Sequence, residues 1–253
     1  MLKKNPYSEG AIISTTETND YQIAVLIDAD NIPYKSIKGI LEEVTRYGTP
    51  TIKRIYGDWT NQRLNGWKPL LLENAISPIQ QYGYTIGKNA TDSALIIDAM
   101  DMLYTKNIDA FCLVSSDSDF TRLATRLREA GKWVLGIGET KTPSPFIASC
   151  DKFVYIEVIE ERSKTELRGG KDREELVRLI TSSIYDIADD NGYAFLADVG
   201  NSIMRKQPDF DPRNYGYYKL TPLVKDLDEF EIDERKIDDS VKHVYIRKKR
   251  SKK

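Results

Sequence analysis

The sequence predicts an α/β fold: a parallel central sheet with helices on both faces, followed by a smaller, mainly helical second domain. Three observations carry this. Between residues 21 and 159, short apolar runs alternate with amphipathic stretches, the rhythm of repeated βα units. Two of the runs, Ile23–Asp28 and Ala110–Ser115, are apolar almost throughout, as strands covered on both faces are. A polar stretch containing Gly169-Gly170 then separates this region from one with a different rhythm.

Taken in order, residues 1–20 are polar and read as a flexible N-terminus. Ile23–Asp28 is the first strand and ends in an acid. Pro33 pre-sets the backbone angle for a helix running to Tyr47, with Gly48 just past its end. Thr51–Tyr56 is a second strand, and Asn61–Ile76 a helix that Pro69 interrupts or kinks. Tyr84–Ile86 reads as a short strand. Asp92–Tyr104 reads as a helix with Leu95, Ala99, Met102 and Leu103 on one face. Ala110–Ser115 is a buried strand, Phe120–Ala130 a helix closed by Gly131, and Trp133–Ile137 a strand. A short helix, Pro143–Cys150, and a last strand, Phe153–Ile156, complete the domain at residue 159. Residues 160–171 form a linker. Residues 172–246 hold an amphipathic helix (Glu174–Asp189), two more helices (Leu196–Met204, Leu220–Leu227) and strands around Phe230–Ile232 and Val244–Ile246, a winged-helix type of module. Residues 247–253 are a basic tail.

Composition excludes several classes. One histidine, His243, removes most His-based zinc sites and makes a His-dependent triad or general base an unfavoured choice. Two cysteines rule out a disulfide-rich scaffold. The longest apolar runs are far too short to span a bilayer, and the opening MLKKNPYSEG has no apolar core after its lysines, so a soluble, cytoplasmic protein is expected. Thirty-seven basic and 39 acidic side chains give a net charge of −2, but this is an average. Residues 1–171 are near neutral with 21 basic and 22 acidic groups, residues 172–246 have 10 and 17, and the tail carries +6.

The aspartates are the most informative residues. Asp28 ends the first strand, with Asp30 and Asn31 just after it. Asp92 opens a helix, and Asp117 and Asp119 follow the strand Ala110–Ser115. In a parallel sheet all of these places fall at the carboxyl edge, where open α/β sheets bind ligands. Carboxylates gathered there repel one another, and a divalent cation with a taste for hard oxygen ligands, Mg²⁺ or Mn²⁺, relieves the repulsion. Such a site can bind phosphate oxygens, generate a hydroxide nucleophile and stabilise the leaving oxygen, which argues for phosphodiester or phosphomonoester hydrolysis. Local readings stand beside this one. Asp92 suits the first turn of its helix with Thr91 as cap, Asp119 suits the N-cap of the helix from Phe120, and Asp30 suits a turn. No cap or turn accounts for Asp28 or Asp117 as well as metal ligation does.

Three strings in this region, Val-Leu-Ile-Asp28-Ala-Asp30-Asn31-Ile, Lys88-Asn-Ala-Thr-Asp92-Ser-Ala-Leu-Ile-Ile-Asp98 and Val114-Ser-Ser-Asp117-Ser-Asp119-Phe120, resemble the NYN domain. The likeness is to its LabA-like (DUF88) branch within the PIN-like nucleases. It covers about Tyr21 to Glu157, with Ser116 departing from a common glycine. It implies a Rossmann-like PIN fold and a magnesium- or manganese-dependent ribonuclease, with Asp28, Asp92, Asp117 and Asp119 as metal-site acids and Asn31 placing a ligand or water. The string Phe210-Asp-Pro-Arg213-Asn-Tyr215-Gly216, with Phe195-Leu-Ala-Asp-Val-Gly200 before it, resembles the OST-HTH (LOTUS) domain. That likeness implies binding of RNA, including structured G-rich RNA, or of a protein partner.

Side chains suited to a single strand pair cations with aromatic rings. The N-terminal region offers Lys53, Arg54, Arg63, Lys68 and Lys88 among Tyr56, Trp59 and Trp67, with Lys88 nearest the acids. The C-terminal region offers Arg213, Tyr217, Tyr218 and Lys219, while Phe195, Phe210 and Tyr215 also suit a core. The leading expectation is a metal-dependent endoribonuclease with an RNA- or partner-binding module and no membrane partner. A non-catalytic RNA-binding adaptor stands beside it. So does a haloacid-dehalogenase-like phosphatase, on the Asp28-x-Asp30 string, although Ile32 replaces the usual Thr or Val there and no cap domain is evident. Oligomeric state, a dimer included, is left open by the sequence.

Overall fold

The computed structural model describes residues 21–82, 90–160, 170–236 and 242–249. Six strands form one parallel sheet: β1 (Tyr21–Asp28), β2 (Gly48–Gly57), β3 (Ser77–Gln80), β4 (Ala110–Val114), β5 (Trp133–Gly138) and β6 (Lys152–Tyr155). Their spatial order is β3-β2-β1-β4-β5-β6, every neighbouring pair parallel. The order reverses between β1 and β4. Connections leave these two strands toward opposite sides, so a crevice opens beyond their carboxyl ends.

Period-two alternation along β1 builds the two cores. Ile23, Val25 and Ile27 face α1 (Ile37–Val44), packing on Ile37, Ile40 and Val44. Ala24 and Leu26 face the other side, where α3 (Ala90–Thr105) contributes Leu95, Ala99 and Met102 and α4 (Thr121–Glu129) contributes Leu123 and Leu127. Shorter helices α2 (Lys68–Glu73), α5 (Ser144–Ser149) and α6 (Ile156–Glu160) complete the layers. This is the doubly covered parallel sheet that the continuous apolar runs predict.

Besides the unanticipated α6, two elements of this region differ from expectation. The third strand is Ser77–Gln80, whereas the expected Tyr84–Ile86 lies outside the described residues. Pro78 disguises it: β3 is an edge strand, hydrogen-bonded on one side only, where proline is tolerated. The expected helix Asn61–Ile76 is a 3₁₀ turn, Gln62–Trp67, followed by α2, with Pro69 in the first turn of α2 where its missing N–H costs nothing.

The C-terminal region packs α7 (Gly170–Ile187), α8 (Leu196–Lys206) and α9 (Leu220–Asp226) against a three-stranded sheet of β7 (Ala194–Phe195), β9 (Lys242–Lys248) and β8 (Phe230–Lys236). Ile180, Val199, Ile203, Leu223 and Ile246 form its core. The two-residue β7 is too short to show in a hydrophobic pattern. No described helix is long and apolar enough to cross a membrane.

The two regions are hydrogen-bonded to each other. Phe153 N–H, on edge strand β6, donates to the Pro208 carbonyl at 3.0 Å. Lys152 Nζ donates to the Phe210 carbonyl at 2.6 Å, and the Tyr155 hydroxyl to Asp209 at 2.7 Å.

Candidate metal centre

Asp28 is the last residue of β1 and is 1% exposed. A carboxylate so buried needs hydrogen bonds to remain ionised. Asn31 Nδ2 and Ser115 Oγ both donate to its Oδ2, the latter at 2.9 Å, and Asp30 N–H donates to Oδ1 at 3.1 Å. Burial raises its pKa, the three hydrogen bonds pull it back, and the net displacement is upward.

Across the switch point, β4 ends at Val114 and delivers Ser115, Ser116 and Asp117. The Ser115 hydroxyl donates to Asp28 and accepts from Asp117 N–H at 3.1 Å, tying the two strand ends together. Asp117 Oδ1 accepts from Asp119 N–H at 2.9 Å and caps the 3₁₀ turn Ser118–Phe120. The capping expected of Asp119 therefore falls on Asp117, two residues earlier, where no cap was expected. Asp119 is exposed, and Asp92 is half-buried in the first turn of α3.

Carboxylate oxygens of Asp92, Asp117 and Asp119 all lie within 4.8 Å of one another. The Asp92 carboxyl is pushed up to about 6 from its ordinary 3.8, first by burial and then by the charges of Asp28, Asp117, Asp119 and Asp30. Asp28 thus belongs to the same electrostatic cluster but stands outside the set of three, with both of its oxygens engaged by Asn31, Ser115 and Asp30. The donor set is all oxygen, the chemistry of a hard divalent cation. Cys112 and Cys150 are buried in the two cores, and His243 stacks on Phe195 in the C-terminal region with ring centroids 4.7 Å apart.

Ser115 has a part that the sequence did not single out. Its signal was a hydroxyl at the end of a buried strand, beside the predicted end of another that carries a buried acid. Glu43 is the second such residue. It is 5% exposed on the apolar side of α1, beside Ile40 and Val44, and an acid in that position needs a partner.

That partner corrects the expectation for Arg213. Its guanidinium does not face solvent as an RNA contact: two of its nitrogens donate to Glu43, both at 2.8 Å, and it also binds Asp211 at 2.7 Å. Burial between two carboxylates commits the cation to holding the two regions together. Gly216, at φ 83°, ends the turn Pro212–Tyr215 that presents it.

The other expected RNA contacts are dispersed. Arg54 pairs with both oxygens of Asp98 at 2.5 and 2.7 Å. Trp59 is half-buried, its indole N–H donating to the Ile79 carbonyl at 3.0 Å, and Trp67 is buried. The Tyr217 hydroxyl donates to Asp226 at 2.6 Å, whereas Lys219 and Tyr218 are exposed. Lys88 lies outside the described residues, as do residues 250–253 of the basic tail.

Two family models match this chain. The model of the NYN domain matches residues 22–157, and that of the OST-HTH/LOTUS domain matches residues 171–241. An uncharacterized protein of Methanocaldococcus jannaschii is 29% identical over 123 residues, which is 47% of this chain and 48% of that one. The chain therefore spans about half the length of this relative. Among solved structures, a protein of unknown function from Vibrio parahaemolyticus covers 54% of this chain and 93% of its own, at 20% identity and a TM-score of 0.46. An uncharacterized Nitrosomonas europaea protein covers 37% of this chain and 85% of its own, at 32% identity and a TM-score of 0.30. A fragment from Chromobacterium violaceum covers 29% and 78%, at 38% identity and a TM-score of 0.25.

Proposed function

Because the chain belongs to the NYN domain family, we propose that it is a metal-dependent endoribonuclease that hydrolyses RNA phosphodiester bonds. Residues 21–159 would cut, and residues 172–246 would bind RNA or a partner protein. The observation that carries this is the meeting of Asp92, Asp117 and Asp119 within 4.8 Å at the switch-point edge, above a buried Asp28.

These three acids would hold Mg²⁺ or Mn²⁺. The bound cation would supply a lowered water pKa and charge neutralisation at the phosphate. Asp28 orients the Asn31 amide, whose oxygen is left to position a water or ligand, and through Ser115 it sets the approach of Asp117. The acids act as ligands rather than covalent nucleophiles; water attacks phosphorus in line as the bond to the opposite ribose oxygen breaks, the water losing a proton to solvent and the departing oxygen gaining one. Asp92, with its carboxyl at about 6, must give up its proton to bind a cation, so metal affinity falls below that pH. The substrate is single-stranded or structured, G-rich RNA, and the compartment is the cytoplasm. Family membership argues against the phosphatase alternative.

The test compares wild type with the Asp28→Asn, Asp117→Asn double variant on single-stranded and structured RNA, with either metal. Products from the wild type alone support the proposal. Equal degradation by both proteins sinks it. RNA binding without products under either metal favours the non-catalytic adaptor instead.

A further inference from the structure

Away from the acids, the amino ends of β1, β5 and β6 meet α8 across a cleft of about 850 Å³. That volume falls within the ~300–1,000 Å³ of pockets that enclose drug-sized ligands. Both regions line it. Arg46, Arg128 and Trp133 come from the N-terminal side together with Tyr47, and Arg205 and Lys206 from α8. Tyr47 and Trp133 lie 5.5 Å apart between ring centroids, and Tyr21 stacks on Trp133 at 5.6 Å, giving a continuous aromatic wall.

The charges are unequal across the cleft. Arg46 is paired with Glu43 at 3.0 Å, Arg128 with Asp151 at 2.9 Å, and Lys206 with Asp186 at 2.6 Å. Arg205 is exposed and makes no ion pair among the described residues. Lys152 also lines the cleft at 6% exposure, its ammonium on the Phe210 carbonyl. Cations beside aromatic side chains match a phosphate joined to a base, by charge and by contact with the rings. The acids at the carboxyl edge repel phosphate unless a cation is bound among them, whereas this cleft needs none. The placement also answers how a module with 10 basic and 17 acidic groups can approach a nucleic acid: Arg205 and Lys206 face the cations of the other region.

We propose that this cleft is a nucleotide-binding site. It takes one phosphate-bearing nucleotide, either as a unit of a single RNA strand or free. The choice of RNA as a source rests on the proposed ribonuclease function; the cleft and its chemistry do not.

The experiment uses the full chain carrying Asp28→Asn and Asp117→Asn, so that RNA stays intact. One arm titrates a fluorescein-labelled oligouridylate of ~10 nucleotides, inside the ~4–16 range of single-strand sites. The other titrates adenosine 5′-monophosphate, read by tryptophan quenching. Each is repeated with Arg205→Glu and Lys206→Glu added, and urea midpoints verify the fold. The expected result is about tenfold weaker binding. For RNA, the dependence of log affinity on log salt should become shallower by ~0.7, from the one lost phosphate contact. Weakening confined to the oligonucleotide assigns the site to a strand; weakening confined to the monophosphate assigns it to a free nucleotide. Unchanged binding in both arms overturns the proposal. Intact binding with no cleavage by the wild type would instead count against the ribonuclease reading alone.

Discussion

Replacing Asp92 by Asn should make the metal-free protein more stable while removing its affinity for divalent cations. Asp92 is half-buried and faces the charges of Asp28, Asp117, Asp119 and Asp30, which with burial raise its carboxyl to about 6 from 3.8. Taken at face value, that rise makes the charged form ~3 kcal/mol costlier in the folded chain at pH 7. Half of the group meets water, and solvent screening reduces the cost to about 1 kcal/mol. Asn has nearly the same shape and no charge, so Asp92→Asn should gain about that much, or ~2–4 °C in melting temperature. The sign of the pH dependence follows from linkage. A carboxyl raised on folding costs stability above its folded value, and the cost disappears as pH falls from about 6 to below 3.8. The advantage of the variant should therefore be full at pH 7.5 and gone near pH 4. Added Mg²⁺ reverses the order. A ligand at ~100 times its dissociation constant stabilises the protein it binds by ~2.7 kcal/mol, which the wild type should show and the variant should not. Differential scanning fluorimetry at both pH values, with EDTA and with Mg²⁺, measures all four conditions. If the metal-free variant melts below the wild type at pH 7.5, the carboxylates are not in mutual conflict and the electrostatic reasoning fails.

Two other outcomes are expected. Arg213→Ala should cost ~3 kcal/mol in urea denaturation, because it removes the cation that two buried carboxylates share, leaving Glu43 only its more exposed partner Arg46 and Asp211 without its ion pair. Arg213 holds both acids below their ordinary values against the upward push of burial, so their stabilising share is full above about pH 4.5 and lost as pH falls through the lowered values; the gap between wild type and variant should narrow on acidification. Ser115→Ala removes one of the hydrogen bonds that favour the charged form of Asp28, so Asp28 holds its proton to higher pH. Cleavage should then fall more on the acidic side of the pH–rate profile than on the alkaline side, with a stability loss of about 1 kcal/mol, and an unshifted profile would separate Asp28 from the chemistry.

Much of the α/β region was legible because burial on both faces leaves a local trace. Ile23–Asp28 and Ala110–Ser115 read as strands without reference to the rest of the chain, since each buried strand needs apolar side chains in both directions. Ser77–Gln80 was not legible, because an edge strand of four residues containing a proline has neither apolar continuity nor alternation. In the site, the strand-end acids were visible from the motifs. The linking role of Ser115 was hidden, since a hydroxyl at a strand end reads as an ordinary turn residue until the neighbouring strand is known.

The sequence by itself determined the rhythm of strands and helices, the positions of Asp28, Asp92, Asp117 and Asp119 at element ends, and the scarcity of His and Cys that leaves oxygen as the ligand type. Only the tertiary structure decided which acids meet and which cations are spent. The order β3-β2-β1-β4-β5-β6 brings Asp92, Asp117 and Asp119 together and leaves Asp28 beside them, engaged by Ser115 from 87 residues away. Arg213 is committed to Glu43 across 170 residues. The physical reason is one of range. Apolar periodicity is written along the chain at the scale of a single element, whereas charge pairing depends on distances through space, which exist only once the elements have packed.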